Sequence, residues 1–186
     1  MKNIILASGS PRRKQILELA EINFTVMIIP TDESFPENLS HLEAAMHIAK
    51  NKAVAVRSAL QSFDVIIAAD TIVSLDGNIL GKPVDRNDAI AMLSKLSGNT
   101  HQVITGVSIF KKDREFLFAD ITEVDFKPLS QGQIEYYVDV AKPFDKAGAY
   151  AIQEWIGLIG IKAIRGDYYN VMGLPLNRIF DILNNQ

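Results

Sequence analysis

The run Val65-Ile66-Ile67-Ala68-Ala69 is apolar at every position. An unbroken run, unlike an alternating one, predicts a strand covered on both faces. It is expected to end at Asp70-Thr71. Residues 3–7 and 24–29 are shorter apolar stretches and predict two more strands. Between these strands the period changes. Residues 11–20 suit a helix with Ser10 as N-cap and Pro11 at its first position. Ser40 and Glu43 have capping-box spacing, and Leu42, Ala45, Met46, Ala49, Ala53, Val56 and Leu60 then recur at helical intervals. Lys52 falls at the edge of that stripe, where its stem can lie on apolar surface while the ammonium reaches outward.

Further along, Asp76-Gly77 is a hairpin signal leading to residues 79–83. Asp85 can cap a helix bearing Ala89, Ile90, Leu93 and Leu96, with Gly98 ending it. Residues 103–110 and 116–126 predict antiparallel strands around Lys111-Lys112-Asp113, and Ser130 with Gln133 offers a second capping box. A loop over residues 142–148 precedes short apolar runs, and Pro175 opens a last helix. Strand–helix units mixed with hairpins predict a three-layer α/β domain around a mixed, elongated sheet. One domain over residues 1–186 is expected, with room for two lobes around a cleft.

Composition narrows the chemistry. At 48% hydrophobic and 22% charged residues the chain is ordinary globular material. No apolar run approaches the roughly 20 residues a bilayer crossing needs, and the basic-then-apolar N-terminus is too short for a signal peptide. There are no cysteines, which excludes thiolate chemistry and cysteine-bound zinc. His41, His47 and His101 lack metal-ligand spacing, so a metal would rest on carboxylates and substrate oxygens, favouring Mg²⁺ or Mn²⁺. A net charge of −3 argues against a nucleic-acid coat.

Ser8-Gly9-Ser10 follows the first strand, where open α/β sheets bind ligands. Gly9 permits positive φ and close backbone approach, and the following helix start attracts anions. Arg12 and Arg13 add guanidinium forks suited to phosphate oxygens. Asp70 stands at the expected end of the buried strand. Lys52, Lys82 and the loop residue Glu33 complete a set of scattered charges. Each has a plain structural reading: a tight turn, a carboxylate satisfying backbone N–H groups, solvated surface charge. Together they match a nucleoside triphosphate, whose charge is usually held by a divalent ion with Arg and Lys clamps. The G-x-x-x-x-G-K-[ST] pattern is not in the sequence, so this is not a P-loop protein.

Six motifs then carry a resemblance: Leu6-Ala7-Ser8-Gly9-Ser10-Pro11-Arg12-Arg13, Ala49-x-x-Lys52-Ala53, Ala69-Asp70-Thr71-x-Val73, Leu80-Gly81-Lys82-Pro83, residues 145–153 and residues 170–176. In order, over nearly the whole chain, they resemble the Maf family of nucleoside triphosphate pyrophosphatases. The resemblance implies a fold similar to the inosine-triphosphate pyrophosphatases, a cytoplasmic homodimer, a divalent metal (Mg or Mn), and cleavage of a nucleoside triphosphate to monophosphate and pyrophosphate. It puts the catalytic aspartate on Asp70. It also makes Arg12, Thr71 and Gln153 the positions that separate subgroups, here matching the dTTP/UTP subgroup. Two residues depart from the pattern: Glu154 where the family usually has glycine, and Ala20 where a glycine often ends the first helix.

On this reading Asp70 is catalytic, and Ser8, Arg12, Arg13, Lys52, Thr71, Lys82 and Gln153 bind substrate. Glu33 and Asp70 hold the metal. Two alternatives stand beside it. One is a nucleotidyltransferase attacking the same α-phosphorus; the other is a non-catalytic nucleotide-binding regulator of septum formation.

Overall fold

The computed structural model describes residues 3–184. Among these residues are seven strands and seven α-helices. In chain order they are β1 (Ile4–Leu6), α1 (Pro11–Leu19), β2 (Thr25–Val26), α2 (His41–Ser58), β3 (Val65–Leu75), β4 (Asn78–Leu80), α3 (Arg86–Leu96), β5 (Thr100–Lys111), β6 (Arg114–Phe126), α4 (Gln131–Ala141), α5 (Trp155–Gly160), β7 (Ile161–Arg165), α6 (Tyr168–Met172) and α7 (Leu176–Asn184). A single 3-10 turn, Ala147–Ala149, lies between α4 and α5. The strand order is β2-β1-β3-β5-β6-β7, with β4 pairing β3. β1 runs parallel to β2 and β3, whereas β4 is antiparallel to β3 and β7 to β6. This is the expected three-layer α/β fold with a mixed sheet.

Two compact units divide the chain. The first holds the residues up to Thr71, then Ile104–Asp120, and those from Gly173 on; the second holds Ile72–Val103 and Ile121–Met172. In the first unit β1 lies in register with β3, Ile5 opposite Ile66. Ile5, Ala7, Ala53, Val56, Ile66, Ala68 and Phe110 form a buried cluster, joining these strands to α2. Removing a side chain such as Ile66 from water contributes about 1.5–3 kcal/mol, so this seam is a main anchor of the unit. The Arg57 guanidinium lies 4.6 Å from the Phe110 ring centroid and closes the seam's outer edge.

The capping box at the start of α2 is complete. The Glu43 N–H donates to Ser40 Oγ at 3.3 Å, and the Ser40 N–H donates to Glu43 Oε2 at 2.9 Å. Farther along the chain, Gly106 of β5 faces the α2 backbone. A Cβ there would stand 2.2 Å from the Ala45 carbonyl carbon and 2.4 Å from Met46 N. Only a hydrogen at that position lets helix and strand approach so closely.

In the second unit α3 packs on α4. Ala89, Leu93 and Leu96 are buried on α3, and Ile134, Tyr137 and Val138 on α4. Asp85 caps α3, accepting from the Asp88 N–H at 2.9 Å, and Ser130 with Gln133 completes the second capping box. Asp76 and Gly77, with φ of 48° and 76°, make the two-residue turn that joins β3 to β4.

Three expectations need correction. β3 does not end at Asp70 but continues to Leu75, because Val73 to Leu75 pair with β4. β2 is reduced to Thr25–Val26, the part of residues 24–29 in register with Ile5 and Leu6. Gly9 does not take positive φ; a Cβ on it would stand 3.1 Å from Ile28 Cδ1, the end of an exposed side chain. Among the described residues no helix is long and apolar enough to cross a membrane.

Candidate active site

In the first unit β1 stops at Leu6, and the Ala7 N–H makes one more bond to the Ile67 carbonyl at 2.8 Å. The chain then turns through Ser8-Gly9-Ser10 into α1. Ser10 occupies the N-cap position without a side-chain cap bond; its N–H donates instead to Ser8 Oγ at 3.3 Å. That bond holds the Ser8 side chain under the turn, where it is 6% exposed.

Arg13, in the first turn of α1, is directed inward and is only 8% exposed. Its Nε donates to the Gly173 carbonyl at 2.7 Å, Nη1 to Ser8 Oγ at 3.0 Å and Nη2 to Thr71 Oγ1 at 3.0 Å. All three acceptors are neutral. Burial pulls the Arg13 pKa down, while Asp70 and Glu33 raise it and Arg12 opposes them. A guanidinium held by neutral dipoles keeps its full charge for an anion nearby. Gly173 has φ of 108° and faces Thr71 and Arg13, so a side chain there would crowd the fork it accepts from. Thr71 Oγ1 also lies 3.0 Å from Thr105 Oγ1 on β5, a fully buried hydroxyl.

Asp70 sits one residue before Thr71. Both fall between the part of β3 paired with β1, which ends at Ile67, and the part paired with β4, which begins at Val73. Lys52 Nζ, projecting from α2, is 2.7 Å from Asp70 Oδ1 and 2.7 Å from Glu33 Oε1. The Lys52 and Asp70 side chains are 17% and 16% exposed and that of Glu33 is 53% exposed, so the cluster opens toward solvent on the loop side. Two carboxylates thus converge on one cation. Their hard oxygen donors fit Mg²⁺ or Mn²⁺, which commonly take one or two protein carboxylates and leave other positions to water and phosphate. Among the described residues no group of three or more His, Cys, Asp or Glu converges. The remaining positions of such an ion would fall to water and substrate oxygens.

Lys82 and Gln153 belong to the second unit. Lys82 is exposed between Gly81 and buried Pro83, and the Gly81 carbonyl accepts from the Gly148 N–H at 3.0 Å. That bond ties the Lys82 segment to the 3-10 turn. Gln153 is half-buried, and its Oε1 is buried with no hydrogen-bond partner. Arg12 is half-buried on α1. The structure therefore gathers Ser8, Arg13 and Thr71 around one guanidinium and Glu33, Lys52 and Asp70 around one ammonium. Thr105 and the Gly173 carbonyl were not singled out as site groups from the sequence. A threonine inside a strand and a backbone oxygen give no pattern to read.

The description of the Maf-like protein family matches residues 3–186. The chain belongs to the Maf-like protein family. A Cytophaga hutchinsonii relative named dTTP/UTP pyrophosphatase is 52% identical over 97% of this chain and 83% of its own length. Relatives with the same name from Phocaeicola vulgatus and Flavobacterium psychrophilum are 50% and 48% identical, over 95% and 98% of this chain and 92% and 93% of theirs. Among solved structures, the Staphylococcus aureus Ham1 protein matches 99% of this chain and 100% of its own, with TM-score 0.53 and 19% identity. That likeness concerns the fold alone. Four of the six motifs supply the Arg13 and Asp70 clusters, and Glu33 lies outside all of them.

Proposed function

We propose that this protein is a nucleoside triphosphate pyrophosphatase that hydrolyses dTTP and UTP to the monophosphate and pyrophosphate. The observation that carries the reading is the Glu33–Lys52–Asp70 cluster, one residue along β3 from the hydroxyl that receives the buried Arg13 fork. Relatives named dTTP/UTP pyrophosphatase, aligned over almost the whole chain, support it and do not favour the nucleotidyltransferase alternative.

In this mechanism water attacks the α-phosphorus, the bond to the bridging oxygen breaks, and pyrophosphate leaves with that oxygen. Asp70 is the catalytic carboxylate and takes the proton of the attacking water. Asp70 and Glu33 are the residues that would hold Mg²⁺ or Mn²⁺; when bound, such an ion offsets phosphate charge and acidifies water. Arg12, Arg13, Lys52 and Lys82 neutralise the triphosphate, and the Ser8 hydroxyl donates to a phosphate oxygen. Gln153, with an amide donor and an uncommitted acceptor, reads the O4 and N3–H edge that thymine and uracil share. Thr71 completes the selection with Arg12. A cytoplasmic homodimer belongs to the same proposal.

The test is pyrophosphate release from a panel of nucleoside triphosphates with Mg²⁺ or Mn²⁺, with and without sugar phosphates. Water alone should suffice, with dTTP and UTP preferred. Asp70→Asn should lower release by about 10²–10⁴-fold while calorimetry still detects nucleotide binding. Undiminished turnover in that variant removes Asp70 from the chemistry.

A further inference from the structure

Residues 151–154 form a turn in the second unit, and Gln153 is its third member. The Glu154 N–H donates to the Ala151 carbonyl at 3.1 Å and closes the turn. Immediately after it α5 begins, and the Gly157 N–H returns to the Glu154 carbonyl at 2.9 Å. Gly157 passes so close that a Cβ would stand 1.7 Å from the Ile152 carbonyl oxygen. The turn is therefore pinned from its α5 side.

From the other side it is held by one side chain. Tyr137 of α4 is 1% exposed, and its hydroxyl meets both ends of the turn. The Ala151 N–H donates to Tyr137 Oη at 3.2 Å, and Tyr137 Oη donates to Glu154 Oε2. Glu154 Oε1 lies 3.5 Å from Lys146 Nζ, on a lysine side chain only 10% exposed. The neighbouring Tyr136 ring packs edge-on against Trp155 at 4.9 Å, fastening the next residue to the same helix. Ala151, Glu154 and Trp155 are thus committed, while Gln153 Oε1 is buried and unpartnered. A buried acceptor left open costs free energy unless a ligand completes it.

We infer that Tyr137 is a positioning residue for Gln153, its hydroxyl fixing the turn from which the amide reaches a pyrimidine edge. This rests on the proposed dTTP/UTP reading and extends it to residues outside the six motifs. Thymine and uracil offer an acceptor at O4 and a donor at N3, whereas cytosine offers the reverse pair. The Tyr137–Glu154–Lys146 chain holds the backbone of the turn and so sets how far the Gln153 amide stands from the base; a displaced turn forfeits the bonds to O4 and N3–H that thymine and uracil offer and cytosine does not. Glu154 is a second positioning residue within it.

The experiment compares kcat and KM for dTTP, UTP and dCTP in the wild type, Tyr137→Phe and Glu154→Gln, each with a melting curve. Tyr137→Phe keeps the buried ring and removes the hydroxyl. The dTTP-to-dCTP ratio of kcat/KM should fall about tenfold, the equivalent of about 1.4 kcal/mol, chiefly through a higher KM for dTTP. Glu154→Gln keeps an acceptor for Tyr137 but loses the charge facing Lys146, so a smaller fall in the same direction is expected. A folded Tyr137→Phe protein with an unchanged ratio overturns the inference, because a merely structural tyrosine lowers the melting temperature without moving selectivity. If Tyr137→Phe does not fold, an unchanged ratio in Glu154→Gln overturns it instead. A wild type that releases pyrophosphate from none of the three nucleotides defeats the functional reading and this inference with it. Selective wild-type activity with unmoved variant ratios defeats the inference alone.

Discussion

Protonation of His101 is expected to lower the second unit's stability in acid. The imidazole is 1% exposed, its Nε2 lies 2.7 Å from Tyr150 Oη, and the rings of Phe126 and Tyr150 pack on it at 5.5 and 5.4 Å. Burial lowers its pKa from the ordinary 6.5 to about 4, with the Asp125 charge opposing only partly. The unfolded chain therefore takes up the proton first as pH falls. Stability from the neutral ring is complete above about pH 6.5 and declines as pH drops toward about 4. A shift of about 2.5 pH units corresponds to roughly 3 kcal/mol in full, of which about 2 kcal/mol is lost between about pH 7.5 and pH 5. Urea unfolding across that range, followed by fluorescence of Trp155, the single tryptophan, reads the unit that contains His101. With a urea slope of about 2 kcal/mol per molar, the midpoint should fall by about 1 M. His101→Phe preserves the aromatic packing and removes the titration. It should be less stable at neutral pH, because Tyr150 loses its partner, but should show a flatter pH dependence. Parallel curves for wild type and variant, or an imidazole titrating near 6.5 by NMR, would refute the reasoning.

Two further outcomes concern the first unit. Gly106→Ala drives a methyl into the α2 backbone and should cost about 1–3 kcal/mol, lowering the melting temperature by about 2–10 °C. Because the clash at Ala45 lies two helical turns before Lys52, pyrophosphate release should fall with it; an unaltered melting curve would mean the helix yields freely. Arg13→Lys keeps a positive charge but cannot reach the Gly173 carbonyl, Ser8 Oγ and Thr71 Oγ1 together. Each lost bond from a charged donor is worth about 1.5–3 kcal/mol, so both kcat/KM and melting temperature should drop. Full activity in Arg13→Lys would show that bare charge suffices.

What could be read from the sequence was what depends on neighbours in the chain. Both capping boxes, the Asp85 cap and the Asp76-Gly77 turn stand where their residue types placed them, because each is closed within a few residues. The extent of β3 depends on a partner. A charge usually ends an apolar run, yet the strand passes through Asp70 because Val73 meets Leu80 of β4. α5 and α6, of six and five residues, are too short to show a period, and Gly157 and Gly160 interrupt the first. In the site, the charged residues were conspicuous by type and spacing. What links them was hidden: Arg13 is bound to three neutral oxygens, one of them the Gly173 carbonyl from the far end of the chain. The Tyr137 hydroxyl was hidden for the same reason, since a core tyrosine on a helix stripe reads as packing.

The two carboxylates that meet at Lys52 are mounted differently. Asp70 is carried inside an eleven-residue strand, whereas Glu33 hangs from a proline-flanked loop with half its side chain in water. One jaw of the vice is bolted to the frame and the other is free to be reshaped. Insertions or replacements around residues 30–36 can thus move the Glu33 carboxylate relative to Lys52 while the strand keeps Asp70 in its place. Change on the strand side has no such latitude, since moving Asp70 by one position would turn it to the opposite face.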